Sequence, residues 1–310
     1  MWLISIIGSG KVGSAVAFLC ASYGLDDIIL VNRTEKKAVG EALDITNAIP
    51  SSSAISIKGT DNYSKIKDSE VIVIAASSGA HMQSRSEIMH EQALMIRDMA
   101  KEIAKHAPDS KVLVVTNPVD VMTYILQKEA DMQPTSVIGV ASSLDSARFR
   151  YRLAEELGTD QSQITDALVL GEHDDSMVPI FSCAKFRGKP VSEILDEQKK
   201  SRITFEVRNY WKYLRDYKGH SAFGIAKNTF DIVKSIVKND TLAVPASTLL
   251  SGQYGLSDVC IGVPLSINKN GVVQINQIKI SQDEENSLLK SASIVRDNIN
   301  KVLGSLQARK

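Results

Sequence analysis

Residues 3–13 read LISIIGSGKVG, an apolar β-branched run that breaks into Gly8-Ser9-Gly10-Lys11-Val12-Gly13. Leu3–Ile7 has the continuous apolar character of a strand covered on both faces, and Gly13–Tyr23 has the apolar spacing of a helix. Strand, glycine turn and helix in that order make a phosphate cradle. The glycines permit a tight turn and a close backbone approach, and a pyrophosphate then sits at the helix N-terminus. GxGxxG alone is a weak signal; its position between strand and helix gives it weight.

The alternation continues on the C-terminal side. Strands are expected at Asp27–Val31, Ser53–Ile57, Val71–Ala76, Val112–Thr116 and Val137–Gly139, with helices over Lys36–Ala48, Glu87–Ala107 and Val119–Glu129. This predicts an α/β fold, a Rossmann doubly wound parallel sheet, for a dinucleotide-binding domain over residues 1–144. The rhythm then changes. A helix over Asp145–Leu157, stopped by Gly158, leads into strand-like Ala167–Leu170 and Val178–Cys183. Helical stretches follow near Ser192–Leu214 and Phe223–Val237, then strands near Val259–Ile267 and Val272–Ile275, and an amphipathic helix over Asp283–Leu306. Residues 145–310 therefore read as a mixed α+β substrate domain, packed closely on the first because no low-complexity linker separates them.

Composition excludes several classes. Of 310 residues, 44% are hydrophobic and 23% charged, ordinary for a chain with a core. The 36 basic residues balance the 36 acidic ones, so no global field draws the protein to nucleic acid or to an anionic membrane. Cys20, Cys183 and Cys260 form no CxxC pair, and the five histidines show no HExxH spacing, so no disulfide framework and no metal site are expected. Gly8 and Gly10 interrupt the apolar N-terminus too early for a membrane span, and it lacks a signal-peptide pattern; a cytoplasmic protein is expected.

The second strand should end in an acid that holds the adenosine ribose of NAD. Here Leu30-Val31 runs into Asn32-Arg33-Thr34. A carboxylate would repel a ribose 2′-phosphate; Asn32 does not, and Arg33 could pair with it, so NADP is tolerated or preferred on this reading. On the other, Asn32 still bonds the ribose hydroxyls and Arg33 is a solvated turn residue. The cofactor is NAD or NADP, held by Gly8, Gly10, Lys11, Val12, Gly13, Asn32 and Arg33.

Four further segments bear chemistry. Asn117 lies in TNPVD (residues 116–120), Asp145 and Arg148 in LDSARFR (144–150), His173 in GEHDDS (171–176), and Arg85 at the end of GAHMQSR (79–85). With these motifs in this order, the chain resembles the lactate/malate dehydrogenase family from the glycine loop to the last helix. Oxidation of a secondary alcohol needs a base for the hydroxyl proton while hydride leaves the same carbon for a nicotinamide. A histidine, with an ordinary pKa of about 6.5, can accept and return that proton near neutrality. His173 is the expected base, and Asp145 would orient its ring and stabilise the imidazolium. Arg148, three residues beyond Asp145 on the same helix, would fork a substrate carboxylate. Arg85 would polarise the carbonyl, and Asn117 would bond the same oxygen or the nicotinamide ribose. The resemblance implies these same roles, closure of the Arg85 loop over substrate, and a homodimer or homotetramer. Read singly, His173 is an ordinary structural histidine, Asp145 a helix N-cap and Arg148 a surface cation; together, in the family order, they read as a site.

The sequence also departs from the family. Malate-type members carry an arginine in the loop before the catalytic arginine for a second carboxylate, but none occurs from Gly79 to Ser84, and the loop matches as shortened. His81 or Gln83 would have to serve instead, since an unpaired buried carboxylate is costly. Ser221, in KGHSAFG (218–224), matches a small hydroxyl lining the substrate pocket, or is a helix N-cap; His220 is a further polar candidate. Asp174 stands where the family has glycine, and would raise the His173 pKa if it pointed inward. Asp166 stands where some relatives pair a histidine with an arginine matching Arg150, so no sugar-phosphate activator is expected. Malate and oxaloacetate are the expected substrate pair. Lactate or another 2-hydroxy acid is the alternative, and a non-catalytic nucleotide-binding protein a remote one.

Overall fold

The computed structural model describes residues 2–51, 53–79 and 85–307, and only the backbone of residues 85 and 86. Six strands come from the first half: β1 (Leu3–Ile7), β2 (Asp27–Val31), β3 (Ile57–Thr60), β4 (Val71–Ile74), β5 (Lys111–Val114) and β6 (Val137–Gly139). They pair in parallel in the order β3-β2-β1-β4-β5-β6. All four residues of β4 are buried, as a strand covered on both faces requires. The helices α1 (Lys11–Ser22), α2 (Glu35–Ala48), α3 (Arg85–His106) and α4 (Val119–Glu129) make the crossovers. Strand order reverses between β1 and β4, the switch point at which open α/β sheets take ligands at the carboxyl ends of their strands.

The third strand lies later than Ser53–Ile57, the span expected for it. Its residues are mostly half-buried, and Gly59 is pressed so close to α2 that a Cβ there would lie 2.2 Å from the Ala38 carbonyl carbon. This strand packs through its backbone rather than through an apolar side-chain pattern, which is why the pattern misplaced it.

The second half contains α5 (Ser142–Glu156), β7 (Ile164–Thr165), β8 (Leu168–Leu170), β9 (Val178–Ile180), β10 (Lys185–Phe186), β11 (Lys189–Pro190), α6 (Glu197–Lys218) and α7 (Phe223–Lys238). Then come β12 (Leu242–Ser251), β13 (Ser257–Asn268), β14 (Gly271–Ile275) and α8 (Gln282–Gln307). The small strands form two sheets, β11-β10-β7 and β8-β9, while β12, β13 and β14 extend the main sheet beyond β6, antiparallel, to nine strands. One sheet and one large core thus run across residue 144, and a second core around Phe149, Leu153, Phe181 and Val207 lies wholly in the later half. β12 is absent from the expected strands; it carries Pro245 opposite Pro264 of β13, a pair in which neither residue has an N–H to donate. The Asp196 side chain caps α6 by accepting the Lys199 N–H at 2.8 Å, and Gly219, at φ +84°, ends it. Among the described residues, no helix is long and apolar enough to cross a membrane.

Candidate active site

The glycine loop joins β1 to α1 at the switch point. Gly8 has φ +106°, and a Cβ on it would lie 2.6 Å from the Ala75 carbonyl oxygen; one on Gly13 would lie 1.9 Å from the Gly8 carbonyl oxygen. These two glycines are demanded by the chain itself. Gly10 is not, because nothing lies within 4 Å of the place its Cβ would occupy. That open space stands before the first turn of α1, where Gly10 is the N-cap and makes no side-chain capping bond. A helix start with free N–H groups and open backbone fits a dinucleotide pyrophosphate.

Beside it, Asn32 donates from Nδ2 to the Ser9 hydroxyl (2.9 Å) and accepts the Thr34 N–H (3.0 Å). Arg33 is exposed and donates to the Ser78 carbonyl (3.3 Å), bridging the ends of β2 and β4. Lys11 reaches across from the glycine loop to donate to His220 Nδ1 at 3.1 Å. Slight burial and the neighbouring Lys11 and Lys218 charges push the His220 pKa down, so the ring stays the acceptor. Val12 is half-buried and packs on the main core.

The chemistry-bearing side chains meet at the carboxyl end of the same sheet. α5 begins at Ser142 with Ala141 as N-cap, so Asp145 is inside the first turn and is not the cap. Its carboxylate, 1% exposed, serves two partners: Oδ2 accepts from His173 Nδ1 at 2.5 Å, and Oδ1 accepts from Arg148 Nη1 at 3.0 Å. His173, 18% exposed, follows β8. Burial pulls its pKa down, but the charge and hydrogen bond of Asp145 more than offset this, and the net direction is up. With Nδ1 committed to Asp145, Nε2 is the nitrogen left to exchange a proton. Arg148, 7% exposed, lies under the Tyr210 ring of α6, 5.3 Å from its centroid. Its Nε–H is buried and has no acceptor among the described residues. A guanidinium held on one side by a carboxylate, with an unanswered N–H on another, is suited to a second, incoming carboxylate.

The His173 loop is itself pinned. Gly171, at φ +89°, exchanges two backbone hydrogen bonds with Gly262 of β13 (2.9 and 3.1 Å), and a Cβ on it would lie 2.8 Å from the Ser291 hydroxyl. Ser291 of α8 accepts the Glu172 N–H (2.8 Å) and bonds the Ser176 hydroxyl (2.9 Å). Asp120, in the first turn of α4, accepts the His173 N–H at 2.9 Å. Sequence reading quoted Asp120 and Ser176 but gave them no role, and passed over Ser291. Bonds across 53, 115 and 119 residues leave no mark in local spacing.

Asn117 is exposed in the loop between β5 and α4. Ser221 is half-buried between α6 and α7; the N-cap of α7 is Ala222, so Ser221 does not fill that post. Arg85 opens α3, with its side chain outside the description, and His81 lies outside the described residues. Asp174 is half-buried, and its carbonyl accepts the Met177 N–H.

Residues 3–139 match the lactate/malate dehydrogenase NAD binding domain, and residues 142–305 match the α/β C-terminal domain of the same family. The chain belongs to the lactate/malate dehydrogenase family. It is 36% identical over 299 residues to a malate dehydrogenase of Archaeoglobus fulgidus, covering 96% of this chain and 98% of that one. It is 33% identical over 297 residues to an L-lactate dehydrogenase of Halalkalibacterium halodurans, covering 95% of each. The structure of the Cryptosporidium parvum lactate dehydrogenase, complexed with lactic acid and nicotinamide adenine dinucleotide, superposes with a TM-score of 0.92 at 31% identity, over 97% of this chain and 98% of that one. The Rossmann-like sheet with its C-terminal α/β region is the fold of this family, and an NAD-binding oxidoreductase is its class.

Proposed function

We propose that this chain is a malate dehydrogenase, interconverting (S)-malate and oxaloacetate with His173 as general acid and base. The observation that carries the dehydrogenase reading is Asp145 shared between His173 and Arg148 at the carboxyl end of the sheet, with one N–H of Arg148 unanswered among the described residues. A bound nicotinamide dinucleotide would supply the hydride chemistry. Gly8, Gly10, Lys11, Val12 and Gly13 would hold its pyrophosphate, Asn117 its ribose, and Asn32 with Arg33 the adenosine end.

The chain's own residues do the rest. Arg148 forks the C1 carboxylate of the 2-keto acid and so fixes the distance from C2 to His173. For reduction, His173 enters protonated, its imidazolium held by Asp145, and gives the Nε2 proton to the C2 oxygen; in the reverse direction the neutral ring takes it back. Arg85, carried on the first turn of α3, is assigned to the C2 oxygen, where charge develops. Ser221 is assigned to the pocket wall, and His81 to the second carboxylate of oxaloacetate.

The preference for malate rests on the GEHDDSMVP context around His173, which resembles malate-type members. A specific observation favours the second reading, a lactate or other 2-hydroxy acid dehydrogenase: residues 79–84 contain no arginine for a second carboxylate. NADP is proposed as an accepted cofactor because Asn32 puts no negative charge where a 2′-phosphate would lie and Arg33 is exposed beside it. A cytoplasmic homodimer or homotetramer completes the proposal. The test is kcat/KM for oxaloacetate and for pyruvate, each with NADH and NADPH. Oxaloacetate is expected to exceed pyruvate with either nucleotide; a large pyruvate advantage overturns the malate reading.

A further inference from the structure

Asp120 is a carboxylate, 4% exposed, in the first turn of α4, and nothing in the reaction so far uses it. Its Oδ2 accepts the main-chain N–H of His173 at 2.9 Å, while its Oδ1 has no donor among the described residues. The Ser247 hydroxyl of β12 faces the same carboxylate without closing an ordinary hydrogen bond. Burial raises the Asp120 carboxyl to about 6, partly countered by the His173 N–H, the Ser247 hydroxyl and the His173 charge, with Glu172 pushing the same way as burial. The titratable groups packed against it are His173 and Glu172 after β8 and Cys260 on β13. A buried acid with one oxygen unsatisfied costs stability, and an apolar or amide side chain would avoid that cost. What it does accomplish is directed at one residue. Its charge raises the proton affinity of the His173 ring, while its bond fixes the peptide that carries that ring.

We propose that Asp120 is a positioning residue that clamps the main chain of His173 to the first turn of α4 and sets a negative charge beside the imidazole. Asp145 holds the ring from one side and Asp120 holds its backbone from another, so the ring stands on two acids from two helices. The inference rests on the assignment of His173 as the acid–base group, and its tests separate the two.

The first test is the pH profile of kcat/KM for oxaloacetate reduction with saturating NADH, compared between the unaltered enzyme and Asp120→Asn. The amide keeps an acceptor oxygen for the His173 N–H while it removes the charge and turns the second oxygen into an NH2 donor. Reduction needs protonated His173, so activity falls as pH rises through its pKa. Losing the charge moves that fall to lower pH. A profile that superimposes on the unaltered one overturns the proposal. Asp120→Ala removes the acceptor as well and is expected to lower kcat on the order of tenfold with NADH affinity unchanged; an unchanged kcat overturns the clamp.

The second test needs no Asp120 variant. In His173→Ala the amide at position 173 still meets Asp120, and its NMR shift should show an inflection at or above the Asp120 value of about 6, because the His173 charge that lowers it is gone, and no imidazole is present to supply one. A flat titration overturns the proposal whatever the turnover of that variant. Retained turnover in His173→Ala would instead end the acid–base assignment while leaving the inflection in place.

Discussion

Asp145 holds both His173 and Arg148 with one carboxylate, and this makes it the residue whose loss should be felt most widely. Asp145→Asn keeps the shape but cancels the charge that holds the His173 pKa up. The imidazolium form, required for reduction, is then lost at lower pH. The alkaline fall in reduction kcat/KM is expected to shift toward acid, with a loss in kcat of roughly 10²–10⁴-fold from the misoriented ring. A pH–rate series checks both. The sign follows from the folded state: a raised histidine pKa means the protonated form is favoured below it and disappears as pH rises through it. His173, Asp145 and Arg148 were legible in the sequence because the motifs that carry them, LDSARFR and GEHDDS, keep family order. It did not make Asp120 legible, because a carboxylate at the start of a helix reads equally well as a partner for the helix dipole. Only the fold shows that it faces the His173 peptide.

At the level of elements, the strands β1, β2 and β6 and the helix α4 stand where the apolar runs put them, because the strands are short segments covered on both faces and α4 is a helix buried from Val119 to Gln127. The exceptions differ in cause: β3 packs closely through Gly59, and β12, although Ala246 and Leu250 lie in the core, runs through Pro245, a residue that breaks a strand pattern. Helix α5 starts three residues before Asp145 because its first turn is buried against β12 and β8 rather than closed by a capping side chain. That burial orients Asp145 and Arg148 inward from one face, and the helix is held from beneath by Phe149, which is fully buried and stacks edge-on against Phe181 at 4.9 Å. Phe149→Ala should cost about 3–5 kcal/mol by opening a cavity under α5. Thermal unfolding would show this as a lowered Tm, and kcat should fall with it if the helix sets the Asp145–His173 geometry.

Over the whole molecule, the site is assembled from three parts of one sheet: the glycine loop after β1, the α4 and α5 starts after β5 and β6, and the His173 loop tied to β13 and α8. Lys11 and His220 add an exposed hydrogen bond between the glycine loop and the α6–α7 connection. Nucleotide binding should stabilise the folded chain, by about 2.7 kcal/mol at a hundredfold excess over Kd. Comparing the Tm rise with NADH and with NADPH checks the reading of Asn32 and Arg33, for which both should stabilise; a rise with NADH alone would assign Arg33 to solvent. The central claim is that a single imidazole, supported by buried acids, moves the proton. Its most direct test is turnover of His173→Ala with oxaloacetate and NADH, alongside the NADH dissociation constant. The account predicts a loss in kcat of roughly 10²–10⁴-fold with nucleotide affinity preserved; turnover equal to that of the unaltered enzyme would contradict it.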